Sequence, residues 1–161
     1  MNITDQEAVT LFQMRKLPAT SLAVDFPAIG TAVEIELKSE EGRFKFLADV
    51  NRKGLIDATR GTFQLRYNVA LIIRRLDLGG SHSNPPGPAP AEFLKPFEGY
   101  KFLHEDHVHI YLDGWSARWA LPISHFQEID ISLTDDLYDK MEKFFKYCNI
   151  VNYRVNRMLF T

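Results

Sequence analysis

His107-Val108-His109-Ile110-Tyr111-Leu112 alternates aliphatic side chains with ring-bearing polar ones, and Asp113-Gly114 follows directly. A period of two is that of a β-strand, so Val108, Ile110 and Leu112 share one face and His107, His109 and Tyr111 the other. Asp-Gly is a strong hairpin signal, because its residues tolerate the positive φ that tight two-residue turns need. The chain then returns through 117–122, with Trp119 and Leu121 on one side and Arg118 on the other. Strands joined by so short a turn run antiparallel, and the rest of the sequence extends that sheet outward. Residues 69–78 form an apolar, β-branched run ending in Arg75-Leu76-Asp77-Leu78, where Arg75 and Asp77 must share the face opposite Leu76 and Leu78. Phe63, Leu65 and Tyr67 alternate with polar neighbours and predict a strand over 62–67. Val33, Ile35 and Leu37 pair by pattern with Phe44, Phe46, Ala48 and Val50 as a hairpin turning at 39–42. Asn51-Arg52-Lys53-Gly54 is a further turn, with Gly54 free to take positive φ.

Helices flank these strands. Thr4-Asp5-Gln6-Glu7 has capping-box spacing ahead of Ala8, Leu11, Phe12 and Arg15, predicting a helix over 5–16 that Pro18 and the Pro27/Gly30 region end. Thr134 reads as the cap of a second helix, with Asp135 and Asp136 in its first turn and Leu137, Met141, Phe144, Phe145 and Cys148 as its apolar stripe. The tail, 149–161, fits a short helix capped by Asn152 or an edge strand, and the helix is the reading taken. The expected fold is α+β: one domain over 1–161, with a single antiparallel sheet of about five or six strands between an N-terminal helix and C-terminal helices.

With 161 residues, 45% of them hydrophobic, the chain has enough material for one core, since a domain of this size hides roughly 70% of its unfolded surface. Cys148 is the only cysteine, which excludes a disulfide scaffold and fits a reducing compartment. The start, Met-Asn-Ile-Thr-Asp-Gln-Glu, lacks the basic and apolar regions of a signal peptide, and no stretch reaches the roughly 18 apolar residues of a membrane span. A soluble, cytoplasmic protein without membrane contact is the expectation. The net charge of −2 conceals an asymmetry: residues 1–41 carry −4, 42–76 carry +6, 77–134 carry −5 and 135–161 carry +1. The +6 stretch suits a phosphate-facing surface or the solvated faces of strands. The acidic total argues against strong, sequence-independent nucleic-acid binding.

Between 79 and 106 lie five of the eight prolines, a stretch in which no regular element is expected to persist. Ordered connections of this length are commonly functional. Four of the five histidines fall between 82 and 109, and His82 and Asn84 open this connection. If the strand ending at Leu78 lies beside the one starting at His107, then Arg75, Asp77, His82, Asn84, His107, His109 and Tyr111 converge. Two chemistries suit such a set. In metal-free phosphodiester cleavage, His82, His107 and His109 would move protons, Arg75 would clamp the phosphate, Asp77 would orient a partner and Tyr111 would stack a base or donate a hydrogen bond. In a metal site, the His-x-His pair with His82 and Asp77 would supply ligands for zinc or iron. A third reading has the histidines simply tie down the proline-rich connection. Arg52 and Lys53, at a turn tip, together with Arg66, Asn84 and Arg118, are candidates for contacting nucleic acid or a partner.

The succession Asn51-Arg52-Lys53-Gly54, Arg66-Tyr67, Arg75-Leu76-Asp77-Leu78, His82-x-Asn84-Pro85, His107-x-His109-Ile110-Tyr111 and Arg118-Trp119-Ala120-Leu121-Pro122 resembles a bacterial and phage-borne family of unknown function. The match runs over about 46–123. More loosely, the Arg-x-Asp strand, His-Pro connection and His-x-His strand look like small toxins of toxin–antitoxin pairs, whose folds set helices on a small antiparallel sheet. The leading expectation is a small RNA-acting protein, a ribonuclease-type toxin or accessory factor of a mobile element, working without metal or cofactor. Its partners would be RNA, a nucleoprotein complex, or a neutralising or target protein. The alternatives are a non-catalytic inhibitor of a host defence complex, suited to the acidic net charge, and a metal-dependent enzyme.

Overall fold

The computed structural model describes residues 1–54 and 56–159. In chain order the elements are α1 (Asp5–Gln13), β1 (Lys16–Pro18), β2 (Val24–Asp25), β3 (Ala32–Ser39), β4 (Lys45–Asn51), β5 (Gly61–Tyr67), β6 (Leu71–Leu78), β7 (His82–Ser83), β8 (Lys101–Phe102), β9 (His107–Leu112), β10 (Ser116–Pro122), α2 (Leu137–Tyr147) and β11 (Val155–Asn156), with short 3-10 turns at Glu92–Phe97, Ile123–His125 and Gln127–Ile129. Seven strands form one antiparallel sheet in the order β1-β3-β4-β5-β6-β9-β10. The fold is α+β, as the sequence patterns require, with one or two more strands than expected because Lys16–Pro18 adds an edge beside β3. No described helix is long and apolar enough to cross a membrane.

The core fills one face of this sheet. Ile35, Leu37, Phe46, Ala48, Val50, Phe63, Leu65, Leu76, Val108, Ile110, Trp119 and Leu121 are buried there, the alternating positions of successive strands. Leu137, Met141, Phe144 and Phe145 of α2 cover them, spaced so that one side of the helix is apolar. Each large side chain so buried contributes about 1.5–3 kcal/mol relative to exposure. From α1, Leu11 joins the same core and the Phe12 ring meets Tyr147 at 4.9 Å.

Four expectations need correction. The first helix ends at Gln13, not near 16, because Lys16 turns into β1 and its buried ammonium donates to Phe12 O, Met14 O and Cys148 O at 2.7, 2.7 and 2.9 Å. The cap of α2 is Asp136, which accepts from Asp139 N while the Asp139 side chain reciprocates; Thr134 lies outside the helix against Ser132. The tail is not helical: Asn152 has φ +56°, wrong for an N-cap, and Val155–Asn156 pairs in parallel with β2. Residues 160–161 of the tail reading lie outside the described residues. Finally, 79–106 is not devoid of regular structure. β7 and β8 pair with each other, and the 3-10 turn Glu92–Phe97 buries Leu94. Prolines exclude long ladders, not two-residue ones.

Candidate functional site

The pairing that the sequence left open is present. β6 lies beside β9, with Asp77 opposite His107 and Arg75 opposite His109; on the other side of β6, Thr62 stands opposite Asp77 and Gln64 opposite Arg75. These side chains occupy the sheet face away from α2, and the 79–106 segment folds over it. Asp77 Oδ1 accepts hydrogen bonds from Thr62 Oγ1 and Arg75 Nε, both at 2.8 Å. Its second oxygen, Oδ2, lies 3.4 Å from His107 Nε2 and 3.2 Å from His109 Nε2.

The far side of each imidazole fixes its protonation pattern. His107 Nδ1 is 2.6 Å from Glu105 O and His109 Nδ1 is 2.9 Å from Ala117 O. A carbonyl only accepts, so each Nδ1 carries a proton, and Nε2 is the ring nitrogen turned toward Asp77, able to donate a proton to it or, once deprotonated, to offer a lone pair. Both Nε2 atoms are buried and make no well-aligned hydrogen bond among the described residues. Two imidazole nitrogens and a carboxylate oxygen therefore point at one another, all within 4.8 Å, an arrangement that needs a proton or a cation between them. Asp77 is only 6% exposed, His107 0% and His109 5%. Burial raises the Asp77 carboxyl's affinity for a proton, but the neighbouring His107, His109 and Arg75 outweigh it and hold Asp77 well below the ordinary carboxylate range. It is an anion at neutral pH.

Such a set is chemically suited to a cation. Two ligand atoms bound to a common zinc at about 2.0–2.1 Å in tetrahedral geometry stand about 3.3 Å apart, which matches both Nε2–Oδ2 separations. Nδ1 bonded to a backbone carbonyl is the support that ligating histidines ordinarily have. Because Oδ1 is taken by Thr62 and Arg75, Asp77 would ligate through Oδ2 alone.

Around this trio the other expected residues take distinct places. His82, half-buried, meets His109 edge-to-face, ring centroids 4.5 Å apart, and lies near-parallel to His107 at 5.9 Å. Its Nε2 is bound to Arg118 O and Asn84 Oδ1 at 3.1 and 3.2 Å, and burial, then repulsion from His109, lowers its pKa. Asn84 is buried and acts as a clamp: Oδ1 accepts from Ala120 N at 2.9 Å, and Nδ2 donates to Ala120 O and Phe97 O at 2.8 and 3.1 Å. It caps the free edge of β10 and is not available to a partner. Tyr111 shares the histidine face but its hydroxyl donates to Ile3 O and accepts from Ile3 N, so it anchors the N-terminus.

The expected basic surface is smaller than the sequence suggests. Arg66 grips Asp49 through Nε and Nη2, each at 2.7 Å, and also pairs with Glu34. Arg52 is 1% exposed. Lys53 and Arg118 remain exposed, Arg118 with its guanidinium 5.8 Å from the Trp115 ring. Two contributors were missed. Thr62 orients Asp77, and alternation on 62–67 already put it on the face of Gln64 and Arg66. A Cβ on Gly80 would lie 3.2 Å from Asp77 Cβ and 3.4 Å from His107 Cε1, so glycine there lets the backbone close over the trio. No local pattern announces such an approach.

The model of a family described as a family of unknown function, DUF6978, matches residues 3–150. No curated protein and no solved structure matches the chain.

Proposed function

The chain belongs to the DUF6978 family, which brings no activity with it, and from the geometry we propose that it is a metal-binding protein whose Asp77, His107 and His109 hold one divalent transition-metal ion. The observation that carries this reading is the convergence of three potential ligand atoms, two of them on rings held from behind at Nδ1. Two imidazoles and one carboxylate favour zinc, with iron(II) the other metal such a trio suits. Bound there, the ion would link Asp77 on β6 to His107 and His109 on β9 beneath the proline-rich segment.

Titration calorimetry with zinc, on protein first stripped by chelator, tests this. One equivalent bound by the wild type and none by His107→Ala/His109→Ala is expected; equal uptake by both refutes it. Acid–base cleavage of RNA by the same histidines is separated in one further arm. RNA degradation that persists in chelator and disappears in the double variant would replace the metal reading. Support for that reading is confined to Arg75 beside the trio, because both Nε2 atoms are buried against Asp77.

A further inference from the structure

Arg52 was expected at a turn tip, yet its guanidinium is buried. Nη1 donates to Pro27 O at 2.8 Å, and the group lies 5.8 Å from the Phe26 ring. Nε and Nη2 have no hydrogen-bond partner among the described residues, and burial alone lowers the pKa, with no acidic neighbour opposing it. A buried charge without a counter-charge is strongly unfavourable. The two unpartnered nitrogens are also the ones that matter for recognition. They form the side edge of the guanidinium, the same pair with which Arg66 holds both oxygens of Asp49 in this molecule.

Arg52 lines a cavity of about 330 Å³ together with Phe26, Asp136, Tyr138 and Arg157. The first turn of α2, an eleven-residue helix, forms part of the wall, and the leading N–H groups of a helix favour an anion. Asp136, the acidic group in the lining, is already paired with Arg157. We propose that this cavity binds a phosphate group, free or as part of a small ester, held side-on by Nε and Nη2 of Arg52 against the start of α2. The site shares no residue with the Asp77 trio and stands independently of the metal reading.

Calorimetric titration of the full chain with inorganic phosphate, with sodium chloride and sodium acetate at matched ionic strength as controls, tests it. Saturable one-site phosphate binding is expected, weakened at least tenfold in Arg52→Lys, whose ammonium lacks the planar fork, and absent in Arg52→Met. Binding of phenyl phosphate more tightly than inorganic phosphate would identify an ester as the occupant, and the reverse would identify the free ion. Phosphate heats no different from chloride, or unchanged affinity in Arg52→Lys, overturn the proposal; acetate binding in place of phosphate overturns the choice of ligand. Should Arg52→Met not fold, the lysine variant decides.

Discussion

Lys16→Met isolates the one buried ammonium that ties both helices to the sheet. Lys16 is 0% exposed, and its Nζ donates to carbonyls at the end of α1 and at Cys148, just past α2, where helix dipoles favour a cation. Burial nevertheless lowers its pKa from 10.5 to about 8. A base whose pKa falls on folding binds more protons unfolded than folded between those two values, so its contribution to stability rises with pH there. At 1.36 kcal/mol per pH unit, the gain between pH 7 and pH 9.5 is about 2 kcal/mol. Burial pushes the Cys148 thiol up to about 12, which acts in the opposite direction above pH 9. The informative quantity is therefore the wild-type stability minus that of Lys16→Met, measured by urea unfolding at both pH values. That difference should rise by about 2 kcal/mol on going to pH 9.5, whatever the substitution does to packing. A difference that is flat or falls would refute the assignment of a buried, pH-sensitive ammonium.

Asn84→Ala removes four hydrogen bonds, one of them to His82 Nε2, and leaves Ala120 N and O without their partner; a loss of about 2–4 kcal/mol is expected in urea unfolding. Gly80→Ala pushes a methyl group against Asp77 and His107, and zinc affinity should fall about 10- to 100-fold by calorimetry while the fold, followed by circular dichroism, survives. Tyr111→Phe frees the backbone of Ile3 and should cost about 1–2 kcal/mol, with faster amide hydrogen exchange over residues 3–8 as the local signature.

The strands were legible because alternation is a property of the residues themselves. His107–Leu112 and its Asp-Gly turn fixed the direction of pairing, and the capping box at Thr4 and Glu7 is present as read. The convergence at Asp77 needed one fact that no local pattern holds, namely that β6 and β9 are neighbours despite 28 intervening residues. Burial was harder still to anticipate. His107 and His109 look like surface groups on an outward face, and they are covered because the segment between β6 and β9 folds back over them. Arg52 and Arg66 show the limit of counting charge: one is enclosed beside Phe26 and the other is neutralised by Asp49 and Glu34, partners from other strands. Short ladders such as β2 with β11 depend on the whole fold bringing distant ends together, so two-residue strands leave no periodicity to find.

X-ray absorption at the zinc edge of the metal-loaded wild-type protein looks at the bonds themselves. Two imidazole nitrogens and one carboxylate oxygen at about 2.0–2.1 Å are expected in the first shell, with one imidazole fewer in His109→Ala. A shell without imidazole scattering, or one unaltered by that substitution, would contradict a metal centre at Asp77, His107 and His109.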